Sequence, residues 1–389
     1  MPEFHLNIVS FTVPFPANYG GVIDVFHKLV ALKSKGIKIH LHCFRYDRKE
    51  APELEPYCET IDYYERKTGF AEQLSGLPYI VKGRRSEELL RKLLSNDYPI
   101  LFEGLHSCYY LGNPLLKGRK LIYRESNIEH QYYFQLFKSE KNPRSGAFFL
   151  LESFRLYRFQ KKLVNASEML VVSEQDRDYL IKKFPGISVQ YLPSFHGNDQ
   201  VDSHTGKGTY AFYHGNLSVA ENSLAAGFLI REVFQGLDIP LIIAGLNPPE
   251  QLLQLAKEKG VQLISNPDRE EMDRLLANAH VNILITFQAT GLKLKLLNTL
   301  FNGRFVLVNK AMLAGTGLEG LCEIAEDAVQ MKEKLKMLFT LEFGPEAIEK
   351  RKLLLLTRYS DLVNADKLIS LIFNQPETKG SFLNNQIGG

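Results

Sequence analysis

Short apolar runs alternate with amphipathic helical segments along nearly the whole chain, and few architectures accept that pattern. The first run, 5–11, leads into a loop at 12–21, a helical segment at 22–35 and a second run at 37–44. This is a βαβ unit, whose strands lie parallel because the helix carries the chain back to the starting edge. Further strand-like runs fall at 61–64, 100–102, 120–123, 169–172 and 189–192. A second series follows at 209–213, 240–244, 261–265, 281–285 and 305–308, again with helical segments between. Apolar runs of this kind suit parallel sheets covered on both faces. The expected fold class is α/β, with two tandem Rossmann-like doubly wound parallel-sheet domains.

Length supports two domains, because 389 residues exceed what one core usually organises. Between 194 and 209 the composition turns polar, with Gly197, Asn198, Asp199, Asp202, Ser203, Gly206, Lys207 and Gly208. The expected division is a first domain at 1–194, a flexible linker at 195–208 and a second domain at 209–359. A C-terminal helix at 360–375 and a disordered tail at 376–389 complete it. The segment 148–164 reads as one long helix whose Phe and Tyr side chains belong to the core.

A net charge of +3 sets no demand for nucleic acid. Cys43, Cys58, Cys108 and Cys322 show no CxxC pair, so they read as buried apolar residues in a reducing compartment. The start of the chain lacks a signal-peptide pattern, and no apolar run reaches the roughly 18 residues that span a bilayer. The expectation is a cytoplasmic protein. Lys82, Arg84 and Arg85 form a basic cluster that either touches the inner face of a membrane or is simply a solvated face. Nothing in the residues specifies an oligomeric state.

In doubly wound sheets, ligands sit at the carboxyl ends of the strands. Four stretches fall there. The loop 12–21 ends in Gly20 and Gly21, which either admit a guest close to the backbone or merely shape the turn and cap the helix. His106 follows the run 100–102, and Asn127, Glu129 and His130 follow the run 120–123; a histidine there is either a site residue or a solvated one. The fourth stretch, 290–303, follows the run 281–285. It reads as a helix opened by Gly291 and stopped by Gly303, with Leu296, Leu297, Leu300 and Phe301 on one face. A helix start of that kind exposes amide N–H groups to an anion, and Lys293 and Lys295 add cations. The other reading of 291–297 is a half-buried strand with lysines facing water.

The order of these motifs resembles the GT-B glycosyltransferases, and more narrowly their retaining family 4 type. Carrying the resemblance are the Gly20-Gly21 loop, the loop Tyr213-His214-Gly215-Asn216-Leu217 with Glu221-Asn222, the stretch from Arg124 to His130 continued by Tyr132-Tyr133, and the lysine- and leucine-rich stretch closed by Gly303. The resemblance covers nearly the whole chain. It implies a GT-B fold with two domains facing each other across a cleft, and transfer of a sugar from a nucleoside diphosphate sugar to a glycan or lipid-linked acceptor. Anomeric configuration would be retained, with no metal and no cofactor beyond the donor. It assigns His106 and Lys293 to the reacting centre. Gly215, Asn216, Asn222, Thr290, Gly291, Leu292, Lys295 and Asn298 face the donor, while Gly20, Gly21, Asn127, Glu129 and His130 line the acceptor side.

The sequence departs from the family where two glutamates usually stand with seven residues between them, and here Thr290 and Asn298 occupy those places. Asn298 can still hydrogen-bond a ribose diol. The departure leaves room for a silent nucleotide-sugar-binding protein or a nucleotide-sugar epimerase. A nicotinamide dehydrogenase is disfavoured, because no βα turn carries GxGxxG.

Overall fold

The structure, a computed structural model, describes residues 3–140, 142–287 and 294–373. They form two compact units, Met1–Gly197 with the chain from Tyr359, and Asn198–Arg358.

In the first unit the strands are β1 (His5–Ser10), β2 (Lys38–Arg45), β3 (Thr60–Glu65), β4 (Ile100–Glu103), β5 (Leu121–Glu125), β6 (Glu168–Val171) and β7 (Ser188–Tyr191). They pair in the order β3-β2-β1-β4-β5-β6-β7, all parallel, with Ser10 opposite Cys43 and Glu103 opposite Arg124. The pleat sends alternate side chains to opposite faces. Leu6, Ile8, Leu101, Ile122 and Leu170 therefore join one core, while Val9, Phe102, Tyr123, Met169 and Val171 join the other. Burying a side chain of this size contributes about 1.5–3 kcal/mol, so both faces have to be covered. On the first face, the helix Asp361–Phe373 adds Ala365, Leu368 and Ile372 beside Leu29 and Leu32 of the helix Gly20–Ser34.

One buried charge network ties the helix Gly20–Ser34 to the middle of the sheet. Lys28 Nζ lies 2.6 Å from Glu103 and 3.2 Å from Asp24. Asp24 also meets Arg124 at 3.4 Å and accepts the Phe195 N–H at 2.7 Å. Each charge taken out of water costs several kcal/mol, which this geometry offsets through paired ions and hydrogen bonds.

The second unit holds β8 (Ala211–Asn216), β9 (Leu241–Leu246), β10 (Gln262–Ser265), β11 (Val281–Leu284), β12 (Phe305–Val308) and β13 (Glu323–Ile324). Their order is β10-β9-β8-β11-β12-β13, all parallel. Ala211, Tyr213, Ile243 and Ile283 point to one core and Phe212 and Ala244 to the other.

Four sequence expectations need correction. The strands at the binding edges run further than their apolar stretches: Arg124 and Glu125 still belong to β5, and His214 to Asn216 to β8, because neighbouring strands supply ladder partners for polar residues too. The stretch 195–208 is not a free tether. Phe195, His196, Val201 and Ser203 are buried; the Gly197 N–H donates to Asp361 at 2.8 Å and the Asp202 N–H to Phe301 O at 2.8 Å. Arg84 is not part of a surface patch. It is buried, with Nε donating to Phe11 O at 2.7 Å and the guanidinium also meeting Ile80 O, which removes it from any membrane contact. Finally, 148–164 divides into the helix Pro143–Phe159 and a 3₁₀ segment Gln160–Asn165, and its Phe154 and Tyr157 are exposed rather than core.

Candidate functional site

Strand order identifies a switch point in each sheet, where the connections change direction and a crevice opens at the carboxyl ends. In the first unit it lies between β1 and β4. Gly104, at φ +72°, takes the left-handed turn that ends β4, and only glycine adopts it without strain. The turn brings His106 back toward Phe11, beyond β1, with ring centroids 5.5 Å apart. Glu129 opens the helix Glu129–Ser139 after β5, and its Oε1 stands 3.8 Å from His106 Nδ1.

The electrostatics of this pair follow from burial. Glu129 is 4 % exposed, and loss of water pushes its carboxyl up to about 8, against the opposing pull of the Arg84 guanidinium. Burial, then Arg84 and Arg66, holds His106 well below its ordinary range. At neutral pH the pair is therefore a neutral imidazole beside a protonated carboxyl, under a buried cation. His106 Nδ1 is buried without a hydrogen-bond partner among the described residues. Such an orphan costs free energy unless a guest satisfies it.

Gly20 and Gly21 begin the helix Gly20–Ser34 behind Tyr19, which gives no side-chain cap. A Cβ on Gly21 would stand 2.9 Å from Phe11 Cζ, so this glycine lets Phe11 reach His106. The helix start leaves amide donors with no acid in the first turn, an environment suited to anionic or hydroxyl oxygens.

In the second unit the switch point lies between β8 and β11. Gly215 and Asn216 end β8, and Asn222 folds back so that its Nδ2 donates to Asn216 O at 2.8 Å. A Cβ on Gly215 would press on the Asn222 side chain at 3.2 Å, and one on Gly245 would stand 1.9 Å from Gly215 O, so the two backbones close up only because Gly245 has no side chain. Lys295 reaches Asn222 Oδ1 at 3.4 Å from the helix Leu294–Asn302. Burial lowers its ammonium, with Glu221 opposing, and Glu221 Oε1 itself accepts the Phe287 N–H at 2.8 Å. Burial and the charge on Lys295 together push His214 down to about 3, which keeps it neutral. A partly dehydrated lysine among asparagines and bare backbone favours an anionic oxygen. Asn298 lies one turn further along, its Oδ1 accepting from Asn302 at 3.1 Å.

Comparison with known proteins gives the architecture its name. A solved sucrose-phosphate synthase from Thermosynechococcus elongatus superimposes with a TM-score of 0.67 at 13% identity, covering 96% of this chain and 100% of that one. A mutant of S. aureus TarM, solved with fondaparinux, alpha-GlcNAc-glycerol and UDP, gives 0.63 at 11% identity, covering 96% and 100%. The chain has a GT-B fold. In sequence, an uncharacterized 44.6 kDa protein in the cps region of Klebsiella pneumoniae is 26% identical over 333 residues, 80% of this chain and 84% of that protein. No family model matches.

Within this GT-B chain the structure gathers some expected residues and separates others. His106 and Glu129 meet in the first unit, and Gly215, Asn216, Asn222 and Lys295 in the second. His130, one position after Glu129, faces elsewhere, against Tyr157 at 5.2 Å and Tyr179 at 6.0 Å; burial and Lys183 push it down to about 4. It is half-buried and lines a groove with Phe134 and Tyr157 rather than meeting His106. Asn127 is half-buried, its N–H donating to Glu125 at 3.2 Å. Thr290, Gly291, Leu292 and Lys293 lie outside the described residues. From Leu294 onward the chain is helical, which removes the strand reading for 294–297. Sequence reasoning missed Arg84 and Arg66 as neighbours of His106. Arg84 was hidden in a basic stretch whose burial no pattern reveals, and Arg66, half-buried, lies outside that stretch.

Proposed function

We propose that this GT-B chain is a glycosyltransferase that moves a sugar from a nucleoside diphosphate sugar to a hydroxyl acceptor, with retention and without a metal ion. The observation that supports it most is the pair of polar, water-poor clusters, one at the switch point of each sheet. One carries a cation among hydrogen-bonding amides, and the other carries uncharged groups suited to a hydroxyl. The TarM mutant of the same fold was solved with UDP, which makes UDP the first nucleotide to try.

The second unit takes the donor. Departure of the nucleoside diphosphate builds negative charge on a phosphate oxygen. Lys295, Lys293 and the amides of Gly291 to Lys293 would stabilise that charge, so a divalent ion has no necessary role. Asn298 would hydrogen-bond the ribose, and Gly215, Asn216 and Asn222 would face the sugar and phosphates. The first unit takes the acceptor. His106, neutral and with its ring 22 % exposed, would accept a hydroxyl proton in a hydrogen bond, and protonated Glu129 would donate one to an oxygen beside it. Gly20 and Gly21 would contribute amide donors.

The test is incubation of the full chain with a panel of nucleotide sugars and candidate acceptors, followed by NMR of the products. Sugar transfer with the donor's anomeric configuration kept in the product supports the reading. Donor binding without transfer would make it a binding protein, and a changed sugar configuration without acceptor would make it an epimerase.

A further inference from the structure

The hairpin formed by the helices Glu129–Ser139 and Pro143–Phe159 carries a surface that sugar transfer does not use. Large apolar side chains usually reach solvent singly. Here Tyr132, Phe134, Leu150, Leu151, Phe154 and Tyr157 are all exposed on two adjacent helices, with Phe154 at 57 % and Leu151 at 48 %. On the second helix, Leu150, Leu151, Phe154, Tyr157 and Arg158 share one face by their spacing. The opposite face is already occupied, since Leu156 and Phe159 belong to the core of the first unit. The outer stripe is thus apolar surplus rather than the back of a core helix. Between the helices runs a groove of about 580 Å³ whose lining includes Phe134, Lys138, Leu150, Phe154 and Tyr157.

The exposed charges within 129–165 are mostly basic. Lys138, Arg144, Arg158, Lys161 and Lys162 are exposed, whereas Glu140 is the one exposed acid between 129 and 165 among the described residues; Glu129 and Glu152 are buried. Lys138 Nζ lies 4.7 Å from the Phe134 ring centre and the Arg158 guanidinium 5.8 Å from that of Phe154, so cations and aromatic rings are interleaved.

We propose that this face docks the protein on an anionic lipid bilayer, with the aromatic and leucine side chains at headgroup depth and the lysines and arginines on lipid phosphates. Aromatic rings with a polar or cationic neighbour favour the membrane interface, and each nearby basic side chain strengthens attraction to anionic lipid. No described helix is long and apolar enough to cross a membrane, so the contact is with a surface. A second copy of the chain fits less well. A two-fold interface would set the same five cations against themselves, and lysine is depleted from protein interfaces.

The test is vesicle flotation with the full chain, comparing phosphatidylcholine alone with an equal mixture of phosphatidylcholine and phosphatidylglycerol. The protein is expected to float with the mixed vesicles, to stay behind with phosphatidylcholine, and to be released by about 0.5 M salt. The double variants Phe154→Ser with Tyr157→Ser, and Lys161→Glu with Lys162→Glu, should each lower the bound fraction at least roughly tenfold. Leu353→Ser, at a position 74 % exposed in the other unit, should float like the wild type, with circular dichroism melts showing every variant folded. Wild-type protein that ignores anionic vesicles would overturn the proposal, as would folded double variants that float unchanged. A wild-type dimer that the Phe154→Ser, Tyr157→Ser variant splits, with no flotation in either, would assign the face to self-association instead.

Discussion

His106 Nδ1 stands 3.8 Å from Glu129 Oε1, too far for a hydrogen bond, although neither group is charged at neutral pH and the nitrogen has no partner among the described residues. Both groups sit past strand ends, and the rest of the His106 ring, 22 % exposed, is the part a guest can reach. On the proposed function that guest is the acceptor hydroxyl. His106→Ala should lower kcat/KM for transfer by roughly 10²-fold while leaving nucleotide affinity unchanged, as steady-state kinetics and calorimetry would show.

The Glu129 proton has a consequence for stability. Its value near 8 in the fold lies above the ordinary 4.5, so the folded protein holds a proton that the unfolded chain releases. Stability contributed by this group is present below about pH 4.5, falls as pH rises to about 8, and is level above that, with a total loss of at most about 5 kcal/mol. Glu129→Gln removes the titration. Urea unfolding should show the variant gaining on the wild type between pH 5 and pH 9; parallel pH profiles would mean that Glu129 is ionised in the fold.

Gly245→Ala should fail at the second unit's switch point, because the new Cβ would stand 1.9 Å from Gly215 O. Both residues lie in paired strands, so neither can move without breaking ladder bonds. A cost of about 1–3 kcal/mol is expected, read as a lower melting temperature together with weaker nucleotide binding.

Lys28→Met should be more damaging than its position on a helix suggests. It leaves Asp24 and Glu103 buried, with Arg124 in contact with Asp24 and only a longer-range partner of Glu103. Removing one partner of such a network costs about 3–5 kcal/mol, measurable by urea unfolding at pH 7. Restoring neutrality with Lys28→Met and Glu103→Leu together should recover part of that loss.

Much of this architecture is legible in the chain, because burying a parallel strand on both faces demands an apolar run and each run ends near a helix start. Leu101 and Phe102, or Ile283 and Leu284, admit few other placements. Polar residues that continue a strand escape that signal, which is why Glu125 and Asn216 lie in ladders where a loop is expected. His106 and Glu129 stand out through their distance past a strand end. Arg84 does not, since its burial depends on Phe11, 73 positions away. His130 shows the opposite limit: it shares Glu129's helix, but one residue of helical rotation sends it to another neighbourhood. Phe154 and Tyr157 read as core for a related reason, because an apolar stripe reads the same whether it faces a core or solvent.

The most direct measurement is isothermal titration of UDP into the wild-type chain with chelator present, repeated for Lys293→Ala and Lys295→Ala. The account predicts saturable binding that chelator leaves intact, weakened roughly tenfold or more in each variant as a charge-assisted contact to phosphate is lost. Absence of binding by UDP and by every other nucleoside diphosphate, or affinity unchanged in both variants, would contradict it.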